Sequence, residues 1–566
     1  MKKMLALILA LVMCFSLVAC GGDKKAEEKP AEESKAPAQS QGGLNSDEAT
    51  KMTAVAEADK TVKYKDTVRV SVSGERVAMG YYGSTNAQAS SWGGMTMEPL
   101  FKFDYVTGEA VPVIAKEAVD VNGDGKTWKV TIRDDVTFHH KGKYYADLKA
   151  SDVAFTFNAL LPNSEGRQAG AFVRTPTLVN SVESAEATGE YEVTIKLKSP
   201  IFDFENWNHG LYIMSEKGLK EFGWADGQDV YTGAYWYDID NSTMGQKHIM
   251  RRYNEYWGSL DNYPTETIEI VVHTDVNTGV AALQAGEVDV LQSSAPEIAI
   301  QFQNNADYTV HKIAGQTTWF VGYNSYDGTG FFDNEDDPNQ VKLRQAINYA
   351  LDRDKIVSVL FAIMPDAGVR VDSIFGKSTP GYVDCGEWEF SVEKGRALME
   401  EIGYGPNNRL SLVLAHIPRY TAYAQCVQDL LKEIYIDCEL RNIEGSQYGS
   451  FLRTGKDWDL FCNYYTTGVT MLSVVSSHIA SSGAGSKTQG WASAVADEKI
   501  AEVMNQPTYE AQKEAFGEFQ KWVHDYHSRI PTHADMNMLI AKAEVEGVAV
   551  APDIAYVSWS TLRIPE

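Results

Sequence analysis

Between residues 410 and 440 three patterns follow one another with little chain between them. Residues 410–415 alternate as a strand does. Residues 421–434 carry Tyr423, Val427, Leu430, Leu431 and Ile434 on one helical face. Residues 436–440 read as a second strand. Apolar side chains repeat every two residues on a half-buried strand and every 3.6 on a helix. The segment is therefore a strand–helix–strand unit. The alternation extends along most of the chain. Residues 67–73, 128–133 and 192–198 have strand periodicity, while Leu343, Ile347, Ala350 and Leu351 share one helical face. Phe516, Phe519, Trp522, Val523 and Tyr526 mark another helix. Alternating strands and helices place the chain in the α/β class.

The N-terminus is of another kind. Lys2 and Lys3 precede an apolar run over residues 4–18, which ends in Leu17-Val18-Ala19-Cys20 and is followed by Gly21-Gly22. A basic start and a short apolar stretch make a secretory signal, and the run is shorter than the ~20 residues of a membrane span. The Leu-Val-Ala-Cys sequence resembles the lipobox of bacterial lipoproteins. That resemblance implies that residues 1–19 are removed and that Cys20 becomes a lipidated N-terminus, held to a membrane by its acyl chains. Residues 20–60 are mostly small, charged or Pro. They cannot bury enough apolar surface to fold and read as a tether with a span of about 35 Å.

The full chain has 566 residues and a net charge of −26, which becomes −28 without Lys2 and Lys3. So acidic a protein lacks the basic surface of a nucleic-acid binder. After the signal and Cys20, four scattered cysteines remain, Cys385, Cys426, Cys438 and Cys462. They have no C-x-x-C spacing and read as buried thiols or one or two staples, not as a metal or redox site.

Two metal-like motifs fail on their spacing. Asp120-Val-Asn-Gly-Asp-Gly125 resembles half a calcium loop, but Thr131 stands where the bidentate Glu belongs. A hairpin turn is the better reading. His139 and His140 are neighbours on a strand-like segment, so they point to opposite faces and do not share an ion. A surface turn is expected there. No nucleophile, zinc or phosphate-loop motif occurs, so neither catalysis nor a cofactor is expected. Aromatics in Gly-, Ser- and Thr-rich stretches suit ligand recognition: Tyr81 and Tyr82, Trp92, Tyr464 and Tyr465 beside Asn463, and Trp491.

Several segments resemble the bacterial extracellular solute-binding proteins of family 5, the oligopeptide-, dipeptide- and nickel-binding receptors of ATP-driven importers. They are Thr127 to His139 with Gly142 and Ala150-Ser-Asp-Val-Ala-Phe-Thr156, then Arg252-Tyr-Asn-Glu-Tyr-Trp-Gly258 with Ala282 to Val290. Val341-Lys-Leu-Arg-Gln-Ala-Ile-Asn-Tyr-Ala-Leu-Asp-Arg353 is the most specific, and Ala397 to Tyr404 is the last. The resemblance implies a two-lobed periplasmic-binding-protein clamshell of three subdomains. Residues 61–319 would form lobe 1, with an inserted subdomain at about 100–230. Residues 320–530 would form lobe 2, and 531–566 would return to lobe 1. It implies a monomer that encloses a solute and presents it to permease subunits. The loop at residues 80–85 and the segment 461–466 occupy its ligand positions. Phe461, Asn324 and Arg419 join the aromatics as candidate contacts.

The chain departs from the family pattern twice. Peptide binders carry W-x-x-D-Y, whose Asp pairs the peptide ammonium. Here Phe461-Cys-Asn-Tyr-Tyr465 places Tyr464 at that position. The usual G-T-G-P-Y is altered to Tyr231-Thr-Gly-Ala-Tyr235. A buried ammonium needs a counter-charge, and Asp457 and Asp459 lie just upstream as candidate replacements. Otherwise the ligand is a modified peptide, an oligosaccharide or a metal chelate. A surface hydrolase is the remote alternative.

Labelled palmitate is expected to enter the wild-type protein and not Cys20→Ala. An unlabelled wild type contradicts the lipobox reading.

Overall fold

In a computed structural model the described residues are 57–74, 82, 87–104, 109–172, 181–208, 211–293, 295–326, 328, 330–334, 337–377, 379–466, 470–471, 475–526, 528–550 and 559–566. The proposed signal, Cys20 and almost all of the tether lie outside them, as does Tyr81. No helix among the described residues is long and apolar enough to cross a membrane.

Two long strands organise the molecule. Tyr308–Tyr323 runs antiparallel to Ile530–Lys542, from Tyr308 against Lys542 to Val321 against Ile530, with register shifts after Ala314 and after Trp319. They are the middle of an eleven-stranded sheet. Beyond one edge of the pair lie Val290–Gln292, Thr67–Val72, Thr267–Val272, Lys247–Arg252 and Tyr235–Tyr237. Beyond the other lie Leu460–Thr466, Leu410–His416 and Ile436–Asn442, while the short Gly368–Arg370 also pairs with Ile530–Lys542. Leu410–His416 and Ile436–Asn442 are parallel and are joined by the helix Thr421–Lys432. This is the strand–helix–strand unit that the sequence predicts.

Registers fix where the two parallel sets point. Thr67–Val72 is parallel to Val290–Gln292, whose Gln292 stands opposite Leu539. Leu410–His416 is parallel to Leu460–Thr466, whose Thr466 stands opposite Thr317. The carboxyl ends of the two sets therefore face each other along the long pair, across the stretch from His311 to Thr317. There the ladder shifts register between Ala314 and Thr318. Such an irregularity bends the strand and locally breaks pairing.

Apolar residues gather on either side of this stretch. Val68, Val70, Phe138, Ile270 and Trp559 belong to one core, and Ile347, Leu414, Val427 and Phe516 to a second. A third joins Phe302 and Met538 to Met364. The helix Pro338–Ala350 starts at Asp337, whose carboxylate accepts from the Asn339 and Gln340 amides, and it buries Leu343, Ile347 and Ala350. Arg353, just beyond it, is almost wholly buried. Its Nε donates to the Pro531 carbonyl at 2.9 Å and Nη2 to Asn348 Oδ1 at 2.7 Å. The most specific family-like motif thus ties its helix to a long strand.

A separate antiparallel sheet has the order Ala115–Asp120, Thr127–Ile132, Glu192–Leu197, Val182–Gly189. In its first hairpin Asp120 Oδ1 accepts from the Gly123 amide and Oδ2 from the Gly125 amide, at 3.1 and 2.6 Å. The carboxylate of the calcium-like motif thus closes a turn. The surface turn expected at His139 and His140 is corrected. They end the strand Thr137–His140. His139 is fully buried, stacked on Tyr253 at 4.1 Å with Nε2 2.8 Å from the Gly233 carbonyl oxygen. Its opposite orientation to half-buried His140 follows from strand geometry. The altered 231–235 motif is structural: a side chain on Gly233 would collide with the backbone of Met95 and Thr96. Cys385, Cys426, Cys438 and Cys462 are free thiols, the last three buried.

Ile347→Ala is expected to cost about 2–5 kcal/mol in a denaturant melt, the usual effect of emptying a packed position. A loss below about 1 kcal/mol contradicts the placement of Ile347 in the core.

Candidate functional site

Trp319 and Tyr464 stand opposite one another in the ladder between Tyr308–Tyr323 and Leu460–Thr466. Cross-strand partners share a face, and their rings lie 5.3 Å apart. Trp319 is 6% exposed and Tyr464 39% exposed, so Tyr464 is the open part of an aromatic wall. His533, on the other long strand, stacks on Trp319 at 5.4 Å and 7°. Tyr420 meets Trp319 edge-on at 4.9 Å.

Two charges flank these rings. The exposed guanidinium of Arg419 follows the carboxyl end of Leu410–His416 and lies 5.9 Å from the Trp319 ring centre. Asp535, two residues after His533 and so on the same face, has its Oδ1 3.8 Å from His533 Nε2. Burial pushes the Asp535 carboxyl up to about 6, although Arg419 and the Trp319 indole oppose this. Burial also pushes His533 down to about 3, which leaves it neutral near pH 7. The wall can stack an apolar or planar group on Tyr464. Beside it are a carboxylate for a cation and a guanidinium for an anion.

The sequence candidates separate in space. Tyr464 and Arg419 lie at this wall. Asn463 points to the opposite face, and its Oδ1 accepts from the Tyr464 amide at 2.9 Å. Phe461 and Tyr465 share that opposite face and are buried in the second core, where the Tyr465 hydroxyl donates to the Ile374 carbonyl at 2.8 Å. Asn324 lies away from this wall. It lies past Tyr323, which pairs with Leu460, and its buried amide donates to the carbonyls of Trp458 and Gly455 at 2.7 and 3.1 Å. Trp491 is buried, with Nε1 donating to the Ile479 carbonyl at 3.2 Å. Tyr82 is buried and donates to the Tyr212 carbonyl at 2.7 Å, while Trp92 packs on His248 at 4.7 Å.

Asp457 and Asp459 do not replace the missing acid. Asp459 precedes Leu460, at the amino end of the strand, and its Oδ2 accepts from the Val413 amide at 2.7 Å. Five residues of strand put it about 16 Å from position 464. Asp457, further back, is exposed, and its carbonyl oxygen accepts from Arg441 Nη1. The group that does lie beside the wall is Asp535, which sequence reasoning missed together with Trp319 and His533. Its one signal was being the lone acidic residue between Asp525 and Glu544.

A second concavity of about 430 Å³ lies between the helices Pro338–Ala350 and Val392–Glu401, lined by Tyr349, Trp388, Lys394 and Asp525 among others. Among the described residues no group of three or more His, Cys, Asp and Glu is arranged to hold a metal.

Comparison with known proteins gives one consistent result. The sequence profile of the bacterial extracellular solute-binding proteins, family 5, middle region, matches residues 109–487. The nickel-binding periplasmic protein of Escherichia coli is 23% identical over 494 residues, covering 83% of this chain and 89% of its own length. NikA of Brucella suis, solved with Fe(III)-EDTA, superposes with a TM-score of 0.74 at 21% identity, covering 89% of this chain and all of its own. AppA of Bacillus subtilis, solved with a nonapeptide, gives 0.67 at 19% identity over the same shares.

The raised Asp535 carboxyl has a consequence for stability. A group whose pKa rises on folding contributes stability below its unfolded value, and this is lost as pH rises through its folded value. Asp535→Asn is therefore expected to gain stability relative to wild type between about pH 4 and pH 7, as read by paired thermal melts. A constant difference contradicts the burial of Asp535.

Proposed function

Because the chain belongs to the bacterial extracellular solute-binding proteins, family 5, we propose that it is the lipid-anchored receptor of an ABC importer and captures a peptide-like solute between two lobes. Residues 61–319 with 531–566 make one lobe and 320–530 the other, in keeping with the cores on either side of the shifted ladder. Cys20 and the tether keep the receptor close to its permease, which raises their effective concentration. The protein acts as a monomer and does no chemistry on its ligand. Binding favours the closed arrangement of the lobes, a shift of population.

The observation that carries this reading is that the two sets of strand carboxyl ends face each other along the long pair, with Trp319 and Tyr464 beside the end of one set. In open α/β sheets, ligands bind beyond the carboxyl ends of the strands. Asp535 supplies the counter-charge for a ligand ammonium that position 464 does not. The exposed Tyr464 ring also suits a sugar face, which supports oligosaccharide as the second reading.

Calorimetry against peptides and oligosaccharides tests the proposal. Peptides with a free amino terminus are expected to bind. Tyr464→Ala and Asp535→Asn should each weaken them at least about tenfold, the loss of roughly 1.4 kcal/mol. No response to any peptide, with binding of an oligosaccharide, overturns the peptide reading and keeps the receptor.

A further inference from the structure

Arg529 precedes the long strand Ile530–Lys542 and is 3% exposed. A buried guanidinium needs compensation by charge, yet Arg529 meets no Asp or Glu among the described residues. Its Nη1 donates to His478 Nδ1 at 3.1 Å and its Nη2 to the His478 carbonyl at 2.6 Å. Its carbon lies 4.9 Å from the Phe320 ring centre and 6.0 Å from that of Tyr465. Burial, with Arg529 adding to it, pushes His478 down to about 3, so the imidazole is neutral and carries no second charge.

The remaining polar atoms around Arg529 are also unsatisfied. Arg529 Nε, Ser528 Oγ, Ser486 Oγ and both amide atoms of Gln489 are buried without hydrogen-bond partners. The helix Ala484–Gln489, which carries Ser486 and Gln489, packs against His478. A side chain at Gly485 would collide with His478 Nδ1, the atom that accepts from Arg529. Gln489 is four residues on and therefore on the same helical face. Helical side chains lean towards the N-terminus, which carries its amide back over Gly485. The guanidinium thus has Ser528 next to it in the chain and Ser486 and Gln489 on the helix packed against its His478 partner, with no carboxylate among them. Water could satisfy the hydrogen bonds but would leave the charge uncompensated.

We propose that Arg529, Ser528, Ser486 and Gln489 form a buried site for a small monovalent anion, a halide or a compact carboxylate. Phe320 and Tyr465 alternate along their strands with Trp319 and Tyr464, so this site lies on the other face of the sheet from the aromatic wall. It does not depend on which solute that wall takes. Bound anion neutralises Arg529 and holds the segment around His478 against the sheet.

Thermal melts of the purified protein at equal ionic strength test the site. Sodium chloride or sodium formate is compared with sodium gluconate, whose anion is too large to be buried there. We expect Tm to rise by roughly 1–3 °C with the small anion that binds, and the chloride and formate arms separate a halide from a carboxylate. Arg529→Gln should abolish the response. A bromide-soaked crystal should show an anomalous peak beside Arg529 Nε if a halide binds, and a formate-soaked crystal should show formate there if a carboxylate binds. Should Arg529→Gln not fold, these crystals decide. Equal Tm in all three salts, or water alone beside Arg529 in both crystals, overturns the proposal.

Discussion

The antiparallel ladder between Tyr308–Tyr323 and Ile530–Lys542 is the constraint on which the other features depend. It joins the two parallel strand sets into one sheet and sets the directions in which they run. Val290–Gln292 is positioned by Leu539 and Ile540, and Leu460–Thr466 by Thr317 through Tyr323. Hydrogen bonds at the outer edge reinforce it. Thr532 Oγ1 donates to the Trp319 carbonyl at 3.2 Å across 213 residues of chain, and the Tyr423 hydroxyl lies 2.8 Å from Thr532 Oγ1. The ladder shifts register between Ala314 and Thr318, where the strand ends face each other, and again between Trp319 and Phe320, and there it is free to bend.

That geometry accounts for the chemistry of the wall. A two-residue period brings Trp319, Tyr464, His533 and Asp535 to one face and Phe320 and Tyr465 to the other, and the register shift that sets Pro531 opposite Phe320 carries Arg529 to that second face too. One face becomes partly open and mixed in charge. The other becomes a dry core that encloses a cation. Exchanging an acid for Tyr464 does not leave the wall without a negative group, because Asp535 arrives from a different strand.

The local elements were legible in the chain. The helix Thr421–Lys432, its flanking strands and the buried face of Pro338–Ala350 follow from periodicity and capping alone. Tyr464 was legible as a departure because its neighbours match a family pattern. The wall as a whole was not. Trp319 and Asp535 look like ordinary strand residues until the long-range register is known, and register is set by pairing across more than two hundred residues. The same blindness made Asp459 look close to Tyr464, although a strand's length separates them. His139 read as surface because His is polar, but stacking on Tyr253 and the Gly233 carbonyl satisfy it inside.

A crystal structure of the protein with a peptide selected by calorimetry would decide where recognition occurs. The wall described above predicts the peptide against Tyr464 and Trp319, with its ammonium within hydrogen-bond distance of Asp535. A peptide lying instead in the concavity lined by Tyr349 and Trp388, or with its ammonium remote from Asp535, would contradict it.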